Sequence, residues 1–327
     1  MTHQIAVIKG DGVGPEVIDS ALRITSNLNS PLRFEEVEAG DEVARKTGTP
    51  LPAETLRVAL ESDAVLLGAI GSTAAKVVIR LRDELDTYVN LRPVKSFPGV
   101  ETPYPGVDFT VVRENTEGLY VGIENKLTPE VTTATRVITE GASKRIAEFA
   151  FEYARKRDAA AVTAIHKSNV LPITDGRFLQ SVREVAGNYQ VNLEEMLVDA
   201  AALHMVKSPE SFEVVLTPNL FGDILSDLGG GLVGGLGLCP SANLGDQTGL
   251  FEPVHGTAPD IAGENRANPV AAVLSAAYML KFLGEEDNAQ QIHKAVEHTL
   301  EEGKTTRDLG GTLTTSQMTK AIEKNLA

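Results

Sequence analysis

A short apolar run at residues 5–8 closes on Gly10-Asp11-Gly12-Val13-Gly14-Pro15, after which Val17, Ile18, Ala21, Leu22 and Ile24 recur at helical spacing. The pattern reads as strand, glycine turn and helix, with Pro15 in the first helical turn, where its missing N–H costs nothing. A strand at 32–37, a helix at Ala53–Glu61 and a strand at Ala64–Leu67 continue the alternation. Strand and helix in turn predict a mostly parallel sheet flanked by crossover helices, an α/β fold. Further strands are expected at 109–112, 161–165 and 212–216, and helices at 142–156 and 221–228. The β-branched stretch 131–139 reads as a strand in an extension of the core. From Cys239 to Asn268 loops are expected, then helices at Val270–Phe282 and 289–302 and a last one opened by Thr314 and Gln317 as a capping box.

The 327 residues exceed the usual domain of roughly 100 to 200. No Gly/Pro/Ser-rich linker, repeat or low-complexity tract divides them. The late helices have few strands of their own to cover, so they are expected to pack back on the N-terminal sheet. The division that follows is a cofactor-side domain at 1–94 plus 236–327 and an inserted dimerisation and metal/substrate domain at 95–235, with the site in the cleft between.

Forty-five acidic against 30 basic residues give a net charge of −15, which argues against a basic nucleic-acid-binding face. Apolar runs such as 64–70 fall far short of the ~20 residues of a membrane span. The single cysteine, Cys239, cannot form an internal disulfide, and no cleavable leader pattern opens the sequence. A cytoplasmic setting is the expectation.

Two glycine patterns invite a dinucleotide reading. Gly10 to Gly14 has the strand–turn–helix context of a phosphate turn but lacks the third glycine at the required spacing. Residues 229–234 satisfy GxGxxG as a string but follow a helical segment, and are taken as a flexible or tightly packed connection.

Asp223 and Asp227 lie four apart on a predicted helix, where like charges repel by a few tenths of a kcal/mol, so a positive group is expected between them. Apolar neighbours and Gly222 argue against a merely solvated acidic face. A hard cation, Mg2+ or Mn2+, takes such oxygen ligands, and Asp199 is a third candidate. Arg82, Arg92 and Arg113 each sit beside strand-like or buried-helix residues, where an arginine answers a carboxylate. The carboxylate can be internal, but three such arginines beside a metal site suggest a dicarboxylate or tricarboxylate ligand. Lys167 follows the strand at 161–165, at the carboxyl end where open α/β sheets bind ligands. A lysine near a cation and arginines can take a proton from an alcohol, and Tyr120 could supply the complementary acid.

Together the segments GDGVGPE, LRDELDTYVNLRP, VRENTEGLYVGIE, HKSNVLPITDG, NLFGDILSD, GGLGLCPSANLGD and FEPVHGTAPDIAGENRANP resemble the β-decarboxylating dehydrogenases, which include isocitrate and 3-isopropylmalate dehydrogenases. The resemblance covers essentially the whole chain and looks closest to the archaeal isopropylmalate type. It implies that family's two-domain fold and the NAD- and metal-dependent oxidative decarboxylation of (2R,3S)-3-isopropylmalate, a 2-hydroxy dicarboxylate, in leucine biosynthesis. By the same resemblance, Arg82, Arg92 and Arg113 bind the malate carboxylates, Asp199, Asp223 and Asp227 ligate Mg2+ or Mn2+, Lys167 serves proton abstraction and Tyr120 protonates the enol. Lys167, Asn169 and Asp199 would reach the site from the other subunit of a homodimer or dimer-based tetramer. The cofactor loop would be His255, Gly256, Thr257, Ala258, Pro259, Asp260 and Ile261, on to Asn268. In it, Asp260 would favour NAD by repelling a 2′-phosphate.

Val78 and Ile79 fall where isopropylmalate enzymes carry an apolar pair, though the acidic residue common in bacterial relatives is absent from this region. Lys76 and Arg80 keep a tricarboxylate, isocitrate or homoisocitrate, open as the alternative substrate, and tartrate or malate is a further alternative within the family. The rival of another class is a non-catalytic regulatory subunit, which would have lost the base or the ligands. Here Lys167, Tyr120, Asp199, Asp223 and Asp227 are all present.

Overall fold

The computed structural model describes residues 2–326. The chain parts into two compact units. The first comprises the described residues up to Thr87, Lys95–Gly106 and those from Gly230 on; the second is Tyr88–Val94 with Val107–Gly229. These borders differ from the expected ones at 94/95 and 235/236. Residues 95–106 belong to the first unit because side chains hold them there: Lys95 Nζ lies 2.5 Å from Glu297, and the Thr102 hydroxyl donates to the Leu232 carbonyl.

The first unit opens with β1(His3–Ile8), α1(Gly14–Ser26), β2(Leu32–Glu36), α2(Asp41–Thr47), α3(Ala53–Glu61) and β3(Ala64–Leu67). A wide π turn at Ala75–Ile79 then runs into α4(Arg80–Glu84). The second unit holds β4(Val89–Lys95), β5(Asp108–Glu114), β6(Glu124–Thr128), β7(Val131–Ala134), α5(Glu140–Lys156), β8(Ala161–His166), α6(Thr174–Ala186), β9(Asn192–Leu197), α7(Val198–Lys207), β10(Val214–Thr217) and most of α8(Asn219–Leu232). The chain returns to the first with β11(Pro240–Leu244), β12(Gly249–Pro253), α9(Val270–Phe282), α10(Glu286–Glu301) and α11(Thr315–Lys324).

Strands of the first unit run in the order β2-β1-β3-β12-β11, and those of the second β4-β5-β10-β8-β9. β1 pairs in parallel with β2 and β3, β3 with β12, β10 with β5 and β8, and β8 with β9, whereas β11 and β12 form an antiparallel hairpin. The fold is therefore α/β with a mostly parallel sheet. Ile5 to Ile8 and Ala64 to Leu67 are fully buried, as strands covered on both faces must be. α9 is apolar all round and buried, packing on β11, β12 and α1 and, among the N-terminal strands, on β3, so the late helices return to the first unit. The capping box forms: the Gln317 N–H donates to the Thr314 hydroxyl at 3.3 Å and the Thr314 N–H to Gln317 Oε1 at 2.9 Å.

Several expectations need correction. Residues 240–253 form a hairpin instead of a loop; its polar Asn243 is buried because its amide donates to the Leu250 carbonyl and to Glu252, each at 3.0 Å. The stretch 131–139 is strand only to Ala134, paired with β6 in an exposed two-stranded arm. Gly229 to Gly231 remain helical, since Gly229 packs on Val94 and Gly230 on Leu236 and Cys239, which leaves no room for a side chain. The first glycine turn, which lacks the third glycine of a dinucleotide turn, packs against another loop of the same unit. Gly12, at φ +60°, lies against the Thr257 carbonyl, which accepts the Val13 N–H at 2.9 Å. Among the described residues no helix is long and apolar enough to cross a membrane.

Candidate active site

In the second unit β5 pairs with β10 so that Arg113 stands opposite Thr217 at the carboxyl ends of both strands, and α8 begins two residues later. This is where an open α/β sheet presents ligand-binding groups. Gly222 lets the first turn of α8 close on the Arg113 side chain and the Thr217 hydroxyl; a β-carbon there would collide with both. Arg113 is 1% exposed, and its Nε and Nη2 donate to Asn219 Oδ1 at 3.0 and 2.7 Å. Its Nη1 pairs with Asp223 Oδ1, while the Tyr120 hydroxyl donates to Asp223 Oδ2. The guanidinium also lies 4.9 Å from the Tyr120 ring centre.

Arg92 supplies the positive charge expected between the helix carboxylates. It lies 3.5 Å from Asp223 and 3.2 Å from Asp227, and Asn90 and the Ser226 hydroxyl accept from it at 2.8 and 3.1 Å. Burial raises the Asp227 pKa against the opposing pull of Arg92. Burial and then the bond to Asp223 raise the Tyr120 phenol above its ordinary range, so it keeps its proton at neutral pH. The backbone between Arg113 and Tyr120 is set by buried Glu114, which accepts N–H bonds from Thr116 at 2.8 Å and Glu117 at 2.9 Å.

A second group lies at the carboxyl ends of β8 and β9, where His166 pairs with Leu197. Lys167 Nζ bonds Asp199, whose carboxyl it holds below the usual range. The Lys167 N–H donates at 2.5 Å to Asp175, a fully buried carboxylate that also pairs with Arg136. Asn169 is exposed in the following turn. Among the described residues no three His, Cys, Asp or Glu side chains come together as one metal-binding group, so the three aspartates do not converge within a single chain. Asp223 and Asp227 fit a hard cation in donor type and in sharing one helix face, and Arg92 with Arg113 marks the same oxygens as a place for positive charge.

In the first unit Arg82 is buried on α4. It donates to Glu252 at 2.7 Å, and its Nε has no hydrogen-bond partner. Half-buried Val78 packs on the core around Val77 and Leu81; Ile79 is also half-buried, while Lys76 and Arg80 are exposed and Arg80 lies 3.6 Å from Glu84. The predicted cofactor loop borders a cavity of about 570 Å3 lined by His255, Gly256, Ala258, Ile261, Asn268 and Asp308 among others. His255 Nδ1 lies 2.9 Å from the Gly256 carbonyl, and its buried Nε2 has no partner. Burial lowers the pKa of this imidazole, leaving it neutral in the wall of a cavity of ligand size. That orphaned atom fits a nicotinamide dinucleotide, which carries N–H and O–H donors. Asn268 is spoken for internally, bonded to Asp308 and to the Val270 N–H, each at 3.0 Å. Pro259 and exposed Asp260 form the outer turn of the loop, beyond the cavity lining.

Asn219, Glu114, Asp175, Asn90 and Glu252 escaped the sequence reading. Of these only Asn219 left a signal, one helical turn before Asp223 on the same face.

The profile of the isocitrate/isopropylmalate dehydrogenase family matches residues 4–322. A 3-isopropylmalate dehydrogenase of Methanothermobacter thermautotrophicus is 52% identical over 324 residues, covering 99% of this chain and 98% of that protein. A 3-isopropylmalate/3-methylmalate dehydrogenase of Methanocaldococcus jannaschii is 51% identical over 329 residues, covering 99% of each. The crystal structure of isocitrate dehydrogenase from Methylococcus capsulatus superimposes with a TM-score of 0.97 at 40% identity, covering 99% of each chain. With arginines and a tyrosine gathered on the aspartates of α8 in this fold, the chain belongs to the isocitrate/isopropylmalate dehydrogenase family.

Proposed function

We propose that this chain is an NAD-dependent decarboxylating dehydrogenase acting on 3-isopropylmalate. The observation that carries the proposal is the convergence of Arg92, Arg113 and Tyr120 on Asp223 in a chain about half identical to archaeal 3-isopropylmalate dehydrogenases. Arg92 and Arg113, with Arg82, would take the substrate carboxylates through bidentate forks, exchanging internal carboxylate partners for those of the ligand. Asp223 and Asp227, with Asp199 of a second copy, would hold Mg2+ or Mn2+. When bound, the cation would polarise the 2-hydroxyl and stabilise the charge that develops as CO2 leaves. Lys167 would remove the hydroxyl proton and Tyr120, which keeps its proton, would deliver it to the enol carbon, while NAD, held by the loop from His255 to Asn268, would supply the hydride acceptor.

Completion of the site from a second copy is supported by the second unit's surface. Ten of the eleven large apolar side chains exposed among the described residues fall between 119 and 224, including Ile173 at 85% and Leu127 at 64%. Apolar side chains gathered in one patch mark a surface for a partner to cover. This surface supports a homodimer, or a tetramer built from it, and the lone buried Cys239 suits a reducing cytoplasm.

Val78 and Ile79 set the substrate preference. An isopropyl group buries apolar area worth ~25 cal/mol per Å2 against them, whereas an unpaired third carboxylate would suffer desolvation. Exposed Lys76 is the feature that favours the alternative, isocitrate or homoisocitrate. A panel of isopropylmalate, isocitrate, homoisocitrate, malate and tartrate with NAD and NADP decides. Isopropylmalate should give the highest kcat/KM, with measurable turnover of smaller 3-alkylmalates, because an apolar pocket discriminates by only about 1 to 3 kcal/mol per methylene. Higher kcat/KM on isocitrate, selectively lost in Lys76→Ala, would reassign the substrate and leave the reaction class standing. In the same assay NAD should be preferred, and Asp260→Lys with Ile261→Tyr should weaken or reverse the preference by replacing repulsion of a 2′-phosphate with attraction. A wild-type enzyme that favours NADP would refute that reading.

A further inference from the structure

Two carboxylates of the first unit, Asp11 and Asp41, take no part in the chemistry above, yet almost every acceptor position they have is committed. Asp11 lies in the first glycine turn. Its carboxylate accepts the N–H of Asp41 at 2.9 Å, of Gly71 at 2.9 Å and of Glu42 at 3.3 Å. Asp41, so oriented, grips the next segment: Oδ2 accepts the Ser72 N–H at 2.8 Å and its hydroxyl at 3.0 Å, and Oδ1 accepts the Thr73 N–H at 2.8 Å and its hydroxyl at 2.7 Å. Four bonds of this kind hold the Asp41 carboxyl in its charged form, with a pKa lowered to about 2. Gly71 makes room for the grip, since a β-carbon there would strike the Asp41 carboxylate.

The gripped residues begin the helical segment that carries Val78, Ile79 and Arg82. The Thr73 carbonyl accepts the N–H groups of Lys76 at 2.8 Å and Val77 at 3.1 Å, so Thr73 sets the start of that segment. The same glycine turn holds the cofactor loop, through the Val13 N–H on the Thr257 carbonyl. We infer that Asp41, oriented by Asp11, is a positioning residue that fixes the height and rotation of the Val78–Arg82 segment against a turn shared with the cofactor loop, and so sets the enzyme's selectivity among 3-alkylmalates. An α-helix turns about 100° per residue, and the wider π turn at Ala75–Ile79 carries its side chains round in the same way. A slip of the first turn would therefore re-aim Val78 and Ile79, whereas uniform softening would not favour one substituent over another. The inference deepens the proposed function and rests on the placement of Val78, Ile79 and Arg82 toward the substrate.

The test is steady-state kinetics of the full-length enzyme with isopropylmalate, 3-methylmalate and malate, each at saturating NAD, and with NAD varied. Asp41→Asn keeps the shape but offers one oxygen where four donors need two. It should lower kcat/KM for isopropylmalate about tenfold or more, since misplacement of about 1 Å is costly, and for malate less than about threefold, leaving KM for NAD within about twofold. Thr73→Val, which removes a single hydroxyl donor, should narrow the same ratio to a smaller extent, and Thr73→Ser should restore it. If Asp41→Asn does not fold, the two Thr73 variants decide. An equal loss on all three malates, or a lower Tm with the ratio unchanged, overturns the inference. Wild type assayed in parallel separates the two readings: if it turns over no 3-alkylmalate, the proposed substrate falls, and the relay is then judged by the selectivity ratio among the acids that are turned over.

Discussion

Asp223→Asn is expected to leave about one thousandth of wild-type turnover. Asp223 is the acceptor for Arg113 and Tyr120 and lies 3.5 Å from Arg92. Asparagine preserves the outline of the side chain but removes the charge and turns an N–H2 donor toward groups that are themselves donors. Affinity for the cation and the register of Arg113 are lost together. A cation supplies several kcal/mol of charge stabilisation, and a loss of about 4 kcal/mol corresponds to about 10³ in kcat. Mn2+ binding by calorimetry should weaken in step, while far-ultraviolet circular dichroism should stay that of wild type. EDTA should silence the wild-type enzyme and Mg2+ or Mn2+ should restore it. Undiminished activity after rigorous chelation, or Mn2+ affinity in Asp223→Asn equal to wild type, would remove this aspartate from the metal site.

Lys167→Ala should lower kcat by about 10² to 10⁴, the range for loss of a positioned general base. The more informative expectation concerns mixtures. Within one chain Lys167 ends on Asp199, while Asp223 and Asp227 form a separate group on α8, and no three metal-binding side chains gather among the described residues. If Lys167 and Asp199 serve the α8 group of another copy, a heterodimer of Lys167→Ala and Asp223→Asn subunits has one undamaged site. Dissociating and reassociating the two inactive variants should then regain a part of the activity, up to about one quarter of wild type at equal mixing and random pairing. Subunit exchange verified by mass, with no activity regained, would place both residues in the same chain's site.

Much of the first unit was legible because its signals are local. The apolar run before a glycine turn, Pro15 in the first helical turn and the Thr314–Gln317 box each act within a few residues, and each appears where expected. The hairpin β11–β12 was not legible. Its small and polar residues carry no strand periodicity, and Asn243 becomes tolerable only when Leu250 and Glu252 arrive to satisfy it. Of the exposed β6–β7 arm only β7 was read, from its β-branched residues, while β6 has no buried face to impose alternation.

Side-chain identity and spacing alone determined the α/β alternation, the family, the shared face of Asp223 and Asp227, and the short list of arginines, lysine and tyrosine proposed for chemistry on a 2-hydroxy acid. Those features depend on residues a helical turn or a strand apart, or on motifs dense enough to identify by themselves. Tertiary structure alone decided which donor each carboxylate meets: Arg82 finds Glu252, 170 residues away; Arg113 finds Asp223, 110 away; and Asp41 grips Ser72 and Thr73 across 31 and 32. Such pairs are set by which strand ends and helix starts the sheet brings together, and a burial-driven fold leaves no periodic trace of them in the sequence.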